Sequence, residues 1–203
     1  MSWFEDVARR NFEICLIPTF ADRPVCCLQI GAFTGDASLW LSDNILTNPD
    51  SVLVDVDTWQ GSDEPDLHGT DWRAVEALYD ARTLGARESG KIVKYKGSSD
   101  SYFRGNEHSF DLIYIDGGHS AHQVLKDAVA GYECLKPEGV IAFDDYLWTS
   151  SLGPLHQPGM AVDAFSAIYA DRVDLLHQGY QCWFRKHPEP MPGSATSSAS
   201  ARP

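Results

Sequence analysis

Apolar and polar positions follow two rhythms along this chain. Short strand-forming runs recur: VCCLQIG at 25–31, SVLVDVD at 51–57, KIVKYKG at 91–97, DLIYID at 111–116 and VIAFDD at 140–145. These runs predict five strands, with the first, second and fourth buried. Between them, apolar residues recur at helical spacing. DASLWLSDNIL predicts a helix with Asp36 near its start, where an acid interacts favourably with the helix dipole. DWRAVEALYDART predicts another. A third begins near Ser120, with Val124, Leu125, Ala128 and Val129 on its apolar side, and ends before the Pro/Gly turn KPEG. Trp3, Phe4, Val7 and Ala8 fit one face of a short N-terminal helix. Strands alternating with helices imply an α/β fold with a doubly wound parallel sheet.

The end of the chain breaks this alternation. AVDAFSAIYADR predicts a helix with Val162, Phe165 and either Ile168 or Tyr169 on one side. VDLLHQ and YQCWFRK then follow with only Gly179 between them, and strands joined that tightly must be antiparallel. TWQGSDEPDLHG reads as a loop. The last segment, HPEPMPGSATSSASARP, is rich in Pro, Ser and Ala and predicts a disordered tail. The expected organisation is an N-terminal helical segment (1–20), one domain (21–187) and the tail (188–203), with no internal repeat.

Composition narrows the functional classes. The 203 residues suit one domain with a full core. A net charge of −13 argues against nucleic acid and anionic membrane as partners, because phosphate binding needs clustered Lys and Arg. No apolar run is long enough to span a bilayer, and the N-terminus has no basic-then-apolar signal pattern. The five cysteines (Cys15, Cys26, Cys27, Cys134 and Cys182) form no C-x-x-C and are odd in number. That argues against a disulfide framework or zinc site and suits a cytoplasmic protein.

Candidate chemistry clusters where strands end, which is where ligands bind in open α/β sheets. QIGAFTGDA places Gly31 and Gly35 between the first strand and a helix. The second strand ends in DVDTW, putting an acid where a ribose diol would lie; Asp57 is the first choice and Asp55 the alternative. KGSSDSYF follows the third strand and offers Ser98, Ser99 or Asp100 to a nucleoside ring. Phe33 stands where the dinucleotide fingerprint needs its second glycine, and Asp36 would repel a pyrophosphate. YIDGGHSAHQVLKD then places Asp116 and His119 at a strand-to-helix junction, and Asp144 and Asp145 end the fifth strand.

With these residues in place, the chain resembles the class I S-adenosylmethionine-dependent methyltransferases over about residues 22–186. QIGAFTG is similar to their first motif, VDVDTW to their ribose-binding acid and KGSSD to their adenine-side segment. The stretch from Tyr114 to Trp148 resembles the small bacterial branch related to metal-dependent sugar O-methyltransferases. The resemblance implies a Rossmann-like, doubly wound, seven-stranded sheet, mostly parallel with an antiparallel C-terminal hairpin. It implies S-adenosylmethionine bound by Gly31, Ala32, Phe33, Gly35, Asp57, Thr58, Ser99 and Asp116. It also implies a divalent cation, Mg²⁺ first, on Asp116, Asp144 and Asp145. His119 would be the base, assisted by Asp116.

The chemistry is consistent with those roles. Methyl transfer to a hydroxyl requires loss of a proton, which an imidazole can take and a cation can ease. Converging carboxylates repel unless a cation neutralises them, and oxygen ligands suit Mg²⁺, Mn²⁺ or Ca²⁺. The expected acceptor is a small hydroxylated molecule, a sugar or natural product, and homo-oligomers remain open. LWTSSLGPLHQPGM would form a lid containing His156, the second base candidate. Trp59 lies near the expected nucleoside and Trp148 near the acceptor. Other classes compete: a metal-independent methyltransferase, a nicotinamide-dependent oxidoreductase or epimerase, and a nucleoside binder without catalysis. The N/D-P-P-Y/F motif of enzymes that methylate planar nitrogens is absent from the sequence.

Overall fold

Leu28 and Ile30 alternate with Cys27 and Gln29 along the first strand, so one strand feeds both faces of the sheet. In the computed structural model, which describes residues 4–62 and 69–188, this strand is β1 (Cys26–Ile30). It lies between β2 (Val52–Asp57) and β4 (Phe110–Ile115). With β3 (Ile92–Lys96), β5 (Leu135–Phe143), β6 (Val173–Gln178) and β7 (Cys182–Lys186) they form one seven-stranded sheet in the order β3-β2-β1-β4-β5-β7-β6. The first five strands are parallel, and β7 runs antiparallel to both β5 and β6. The doubly wound sheet and its terminal hairpin are therefore as the hydrophobic pattern predicts.

The helices are α1 (Arg9–Phe20), α2 (Asp36–Asn44), α3 (Trp72–Glu88), α4 (Ser99–Gly105), α5 (Ala121–Cys134) and α6 (Pro158–Ile168). One core layer joins Ile30, Val56, Ile113 and Ile115 to Val124 and Ala128 of α5 and Val162 and Phe165 of α6. The other joins Cys27, Leu53, Leu112 and Tyr114 to Phe12 and Leu16 of α1 and Trp40 and Leu41 of α2. The chain moves outward from β1 to β3, then returns to β4 on the other side of β1. This reversal opens the crevice at the carboxyl ends of β1 and β4.

Several local expectations change. The N-terminal helix is not short: a π-helical turn (Phe4–Ala8) leads into the twelve residues of α1. KPEG is not a turn outside the sheet. It is an irregular stretch within β5, where Glu138 takes a positive φ of 62° and the pairing with β4 shifts register. KGSSDSYF contains a helix, α4, capped by the Ser98 side chain accepting from Ser101 N–H. Tyr169 is the buried partner of Phe165, whereas Ile168 is 67% exposed. Much of TWQGSDEPDLHG (63–68) and the tail beyond 188 lie outside the described residues. All five cysteines are free thiols, and no helix among the described residues is long and apolar enough to cross a membrane.

Candidate functional site

Gly31 is where the crevice begins. Its φ is 87°, and a Cβ there would lie 1.9 Å from the carbonyl oxygen of Asp116. The loops leaving β1 and β4 therefore cross at a distance only glycine permits. Phe33 follows at φ 45°, and Gly35 at φ 83° forms the N-cap of α2. A Cβ on Gly35 would press on Tyr79 and Thr83 of α3, so this glycine serves helix packing.

Asp57 ends β2 beneath this loop. Its Oδ2 accepts from the backbone N–H groups of Ala32 and Phe33, both at 2.9 Å, and its Oδ1 accepts from Trp59 N–H at 2.7 Å. A carboxylate has about four acceptor sites, which leaves one for a hydroxyl donor. Asp55, the alternative, is fully buried and accepts from the Tyr79 hydroxyl at 2.7 Å. Burial pushes its pKa up to about 7. Thr58 accepts from Gln60 N–H at 3.2 Å. Trp59 is buried against Tyr79 and donates its indole N–H to the Phe33 carbonyl at 2.9 Å. Ser99 is buried in the first turn of α4 and accepts from Gln123 of α5. Asp100 pairs with Lys126. The structure thus brings Gly31, Ala32, Phe33, Asp57 and Asp116 together, while Ser99 is held by α5.

At the ends of β4 and β5, His119 Nε2 lies 2.8 Å from Asp145 Oδ2. The His119 ring packs on Trp148, centroids 4.3 Å apart. Asp145 has a positive φ of 58°, and its carboxylate is also bonded to the Tyr180 side chain. Burial, followed by the charges of Asp144, Asp145 and Asp57, holds the Asp116 carboxyl well above the usual carboxylate range. A cavity of about 10 Å³ lies between Asp116, Gly117, Gly118, His119, Asp144 and Asp145, room for about one water.

Asp144 is only 3% exposed. One oxygen accepts from the Tyr114 hydroxyl and, at 3.0 Å, from the Gln181 side-chain amide; the other accepts from Asp145 N–H at 2.7 Å. These donors turn it into the fold, and Asp145 is engaged with His119. Among the described residues, no group of three or more His, Cys, Asp or Glu side chains stands in an arrangement that could hold a metal ion. The three acids expected to carry a cation are near neighbours, but their donor set as folded does not fit one.

Sequence reasoning missed Tyr114, Tyr180 and Gln181 as site residues. Tyr114 reads as one more apolar position in a buried run. Tyr180 and Gln181 belong to the β6–β7 loop rather than to β7, which begins at Cys182. A glutamine directly before the buried Cys182, Trp183 and Phe184 is the one signal that could have marked a satisfied buried amide. His156 lies in an exposed 3₁₀ turn (Pro154–His156).

Solved structures share this architecture. The O-methyltransferase TomG from Streptomyces achromogenes, in complex with SAM, is 16% identical over 80% of this chain and 73% of its own (TM-score 0.57). The O-methyltransferase from Bacillus cereus, in complex with SAH, is 15% identical over 90% of each chain (TM-score 0.58). The N-methyltransferase NodS from Bradyrhizobium japonicum is 14% identical over 91% of this chain and 97% of its own (TM-score 0.55). At these identities the likeness shows the fold alone. No curated relative matches the chain. A family model described as a methyltransferase domain matches residues 28–146, from β1 through the loop after β5. That span is more than half of the chain and holds Gly31, Asp57, Asp116, His119, Asp144 and Asp145, so the chain belongs to the methyltransferase-domain family.

Proposed function

We propose that the protein transfers a methyl group from S-adenosylmethionine to a hydroxyl of a small acceptor, a sugar or natural product, with His119 as the base. The observation that carries this reading is the His119–Asp145 pair, 2.8 Å apart at the carboxyl ends of β4 and β5 in a methyltransferase-family crevice. When bound, the donor supplies an activated methyl on a sulfonium. Its positive charge suits a crevice end where Asp57, Asp144 and Asp145 already penalise ionisation of Asp116. Asp57 would hold the ribose by its remaining acceptor site, next to the Ala32 and Phe33 amides. Asp145 accepts from one imidazole nitrogen and so orients the ring, and Trp148 fixes its plane. With Nε2 engaged by Asp145, an acceptor hydroxyl would give its proton to Nδ1, a buried atom that the acceptor must uncover, as its oxygen bonds to the methyl carbon and the carbon–sulfur bond breaks.

The same crowding of Asp116, Asp144 and Asp145 favours a second reading, in which a divalent cation assists. It requires Asp144 to release Tyr114, Gln181 and the Asp145 amide. Incubating the protein with methyl-labelled donor and fractionated host extract, then mass analysis of the labelled product, tests the activity. His119→Ala is expected to cut transfer by roughly 10²–10⁴-fold, the usual weight of a positioned general base. Donor affinity, read by calorimetry, is expected to stay within error. Transfer abolished by EDTA and restored by Mg²⁺ would establish the cation-assisted form. Undiminished transfer by His119→Ala would remove His119 from the chemistry.

A further inference from the structure

A buried polar chain runs from α1 to the candidate base. Asn11 of α1 donates its side-chain amide to Gln181 Oε1 at 3.1 Å, and the Trp183 indole N–H reaches the same oxygen at 3.3 Å. The Gln181 amide nitrogen donates to the Tyr114 hydroxyl at 3.1 Å and to Asp144 Oδ2 at 3.0 Å. Gln181 is wholly buried, so its orientation is fixed: turned over, its oxygen would face a carboxylate and its nitrogen would face an indole N–H. Tyr114 packs in one cluster with the rings of Phe12 and Trp183, and its hydroxyl donates to Asp144. The acid is thus gripped on one oxygen from two elements.

Its other oxygen holds the Asp145 N–H at 2.7 Å. The backbone on either side is pinned as well, with Asp144 N–H on the Ile115 carbonyl and Tyr146 N–H on the Tyr180 carbonyl, both at 2.9 Å. Between these pins Asp145 adopts its left-handed conformation, which non-glycine residues keep only where the surroundings hold them there. That turn carries its carboxylate to His119. We infer that Asp144 is a buried anchor for the Asp145–His119 pair, and that Tyr114 and Gln181 are positioning residues for His119 acting through it. The inference rests on the reading of His119 as the base, and it assigns to Asp144 a role other than cation ligand.

Histidine-¹⁵N-labelled full-length protein tests this at one fixed pH through the ring-nitrogen signals of His119, identified by their loss in His119→Gln. Asp145→Ala is expected to shift those signals. Tyr114→Phe and Gln181→Leu are expected to shift them in the same direction, although neither side chain touches the imidazole. Val140→Ala truncates the same core layer and is expected to lower the melting temperature without moving them. Tyr114→Phe keeps its ring and supplies the result if Gln181→Leu does not fold. Wild-type His119 signals in folded Tyr114→Phe, with Asp145→Ala shifted, would overturn the anchor and leave the base reading standing. Unmoved signals in Asp145→Ala would overturn the pair itself. Mn²⁺ supplies a second readout. Saturable broadening of His119 in the wild type that disappears in Asp144→Asn would make Asp144 a cation ligand and overturn the proposal. Broadening that persists in Asp144→Asn supports it.

Discussion

Asp55 and Asp57 stand two residues apart on β2, and their surroundings separate them. Asp57 receives two backbone N–H groups from the loop it underlies and a third from Trp59 just after it, whereas Asp55 is sealed beneath Tyr79. Asp57→Ala removes both a candidate ribose contact and the charge-assisted bonds that shape Ala32 and Phe33. Its expected effect is a loss of about tenfold or more in S-adenosylmethionine affinity, since such a bond contributes roughly 1.5–3 kcal/mol. Asp55→Ala leaves the Tyr79 hydroxyl buried without its acceptor and is expected to lower the melting temperature instead. Calorimetry and thermal unfolding of the two variants check this; an affinity loss in Asp55→Ala alone would exchange the roles. At this scale the sequence was informative wherever a charged residue ends an apolar run, as Asp57, Asp116, Asp144 and Asp145 do. That Asp144 turns into the fold was not legible, because it depends on Tyr114 and Gln181, which lie 30 and 37 residues from Asp144 in the chain.

Among the elements, the crossing of the β1 and β4 loops is the most constrained. Gly31→Ala places a methyl 1.9 Å from the Asp116 carbonyl and asks alanine to hold φ 87°. The backbone itself must move, so the expected outcome is a loss of several kcal/mol, with donor binding lost alongside it. Gly85 supplies the contrast. It lies inside α3, and a Cβ there meets nothing within 4 Å. Gly85→Ala is expected to stabilise by up to about 1 kcal/mol through helix propensity. Chemical unfolding of both variants reads the difference, and a neutral Gly31→Ala would mean that the loops separate freely. Element type was legible from periodicity, because buried parallel strands give unbroken apolar runs. Boundaries failed where no periodicity exists to read. KPEG carries turn residues yet continues β5 through an irregularity, and α4 is a seven-residue helix. Gly179 does mark the hairpin, but the loop extends through Gln181 and so brings Tyr180 and Gln181 to the site.

For the whole molecule, charge and burial act together. The chain carries a net −13, and the fold still buries carboxylates away from its cations. Burial pushes Asp55 up to about 7 and Asp127, beside Ser99 and Gln123, up to about 6, against a usual value of 3.8. Between about pH 4 and 7 the folded protein therefore holds protons that the unfolded chain has released. Stability from these two groups is full below the ordinary carboxylate range and is lost as pH rises through 6 and 7, by on the order of a few kcal/mol in all. Opposing shifts act at the acid end. Lys94 and Lys96 lower the pKa of Glu76, and Lys126 lowers that of Asp100, so those contributions disappear as pH falls below the usual range. The stability maximum is expected in mildly acidic solution rather than at neutrality, with self-repulsion of the net charge acting in the same direction above it. Urea unfolding at pH 4.5, 6 and 7.5 should give midpoints that fall with pH. In the double variant Asp55→Asn, Asp127→Asn the fall should flatten, even if the amides lower the midpoint at every pH by leaving a buried donor unpaired. An unchanged slope in that variant would mean that the two carboxyls ionise in the fold as they do in the unfolded chain, and the origin of the pH dependence would then pass to Asp116 and Asp144 at the candidate site.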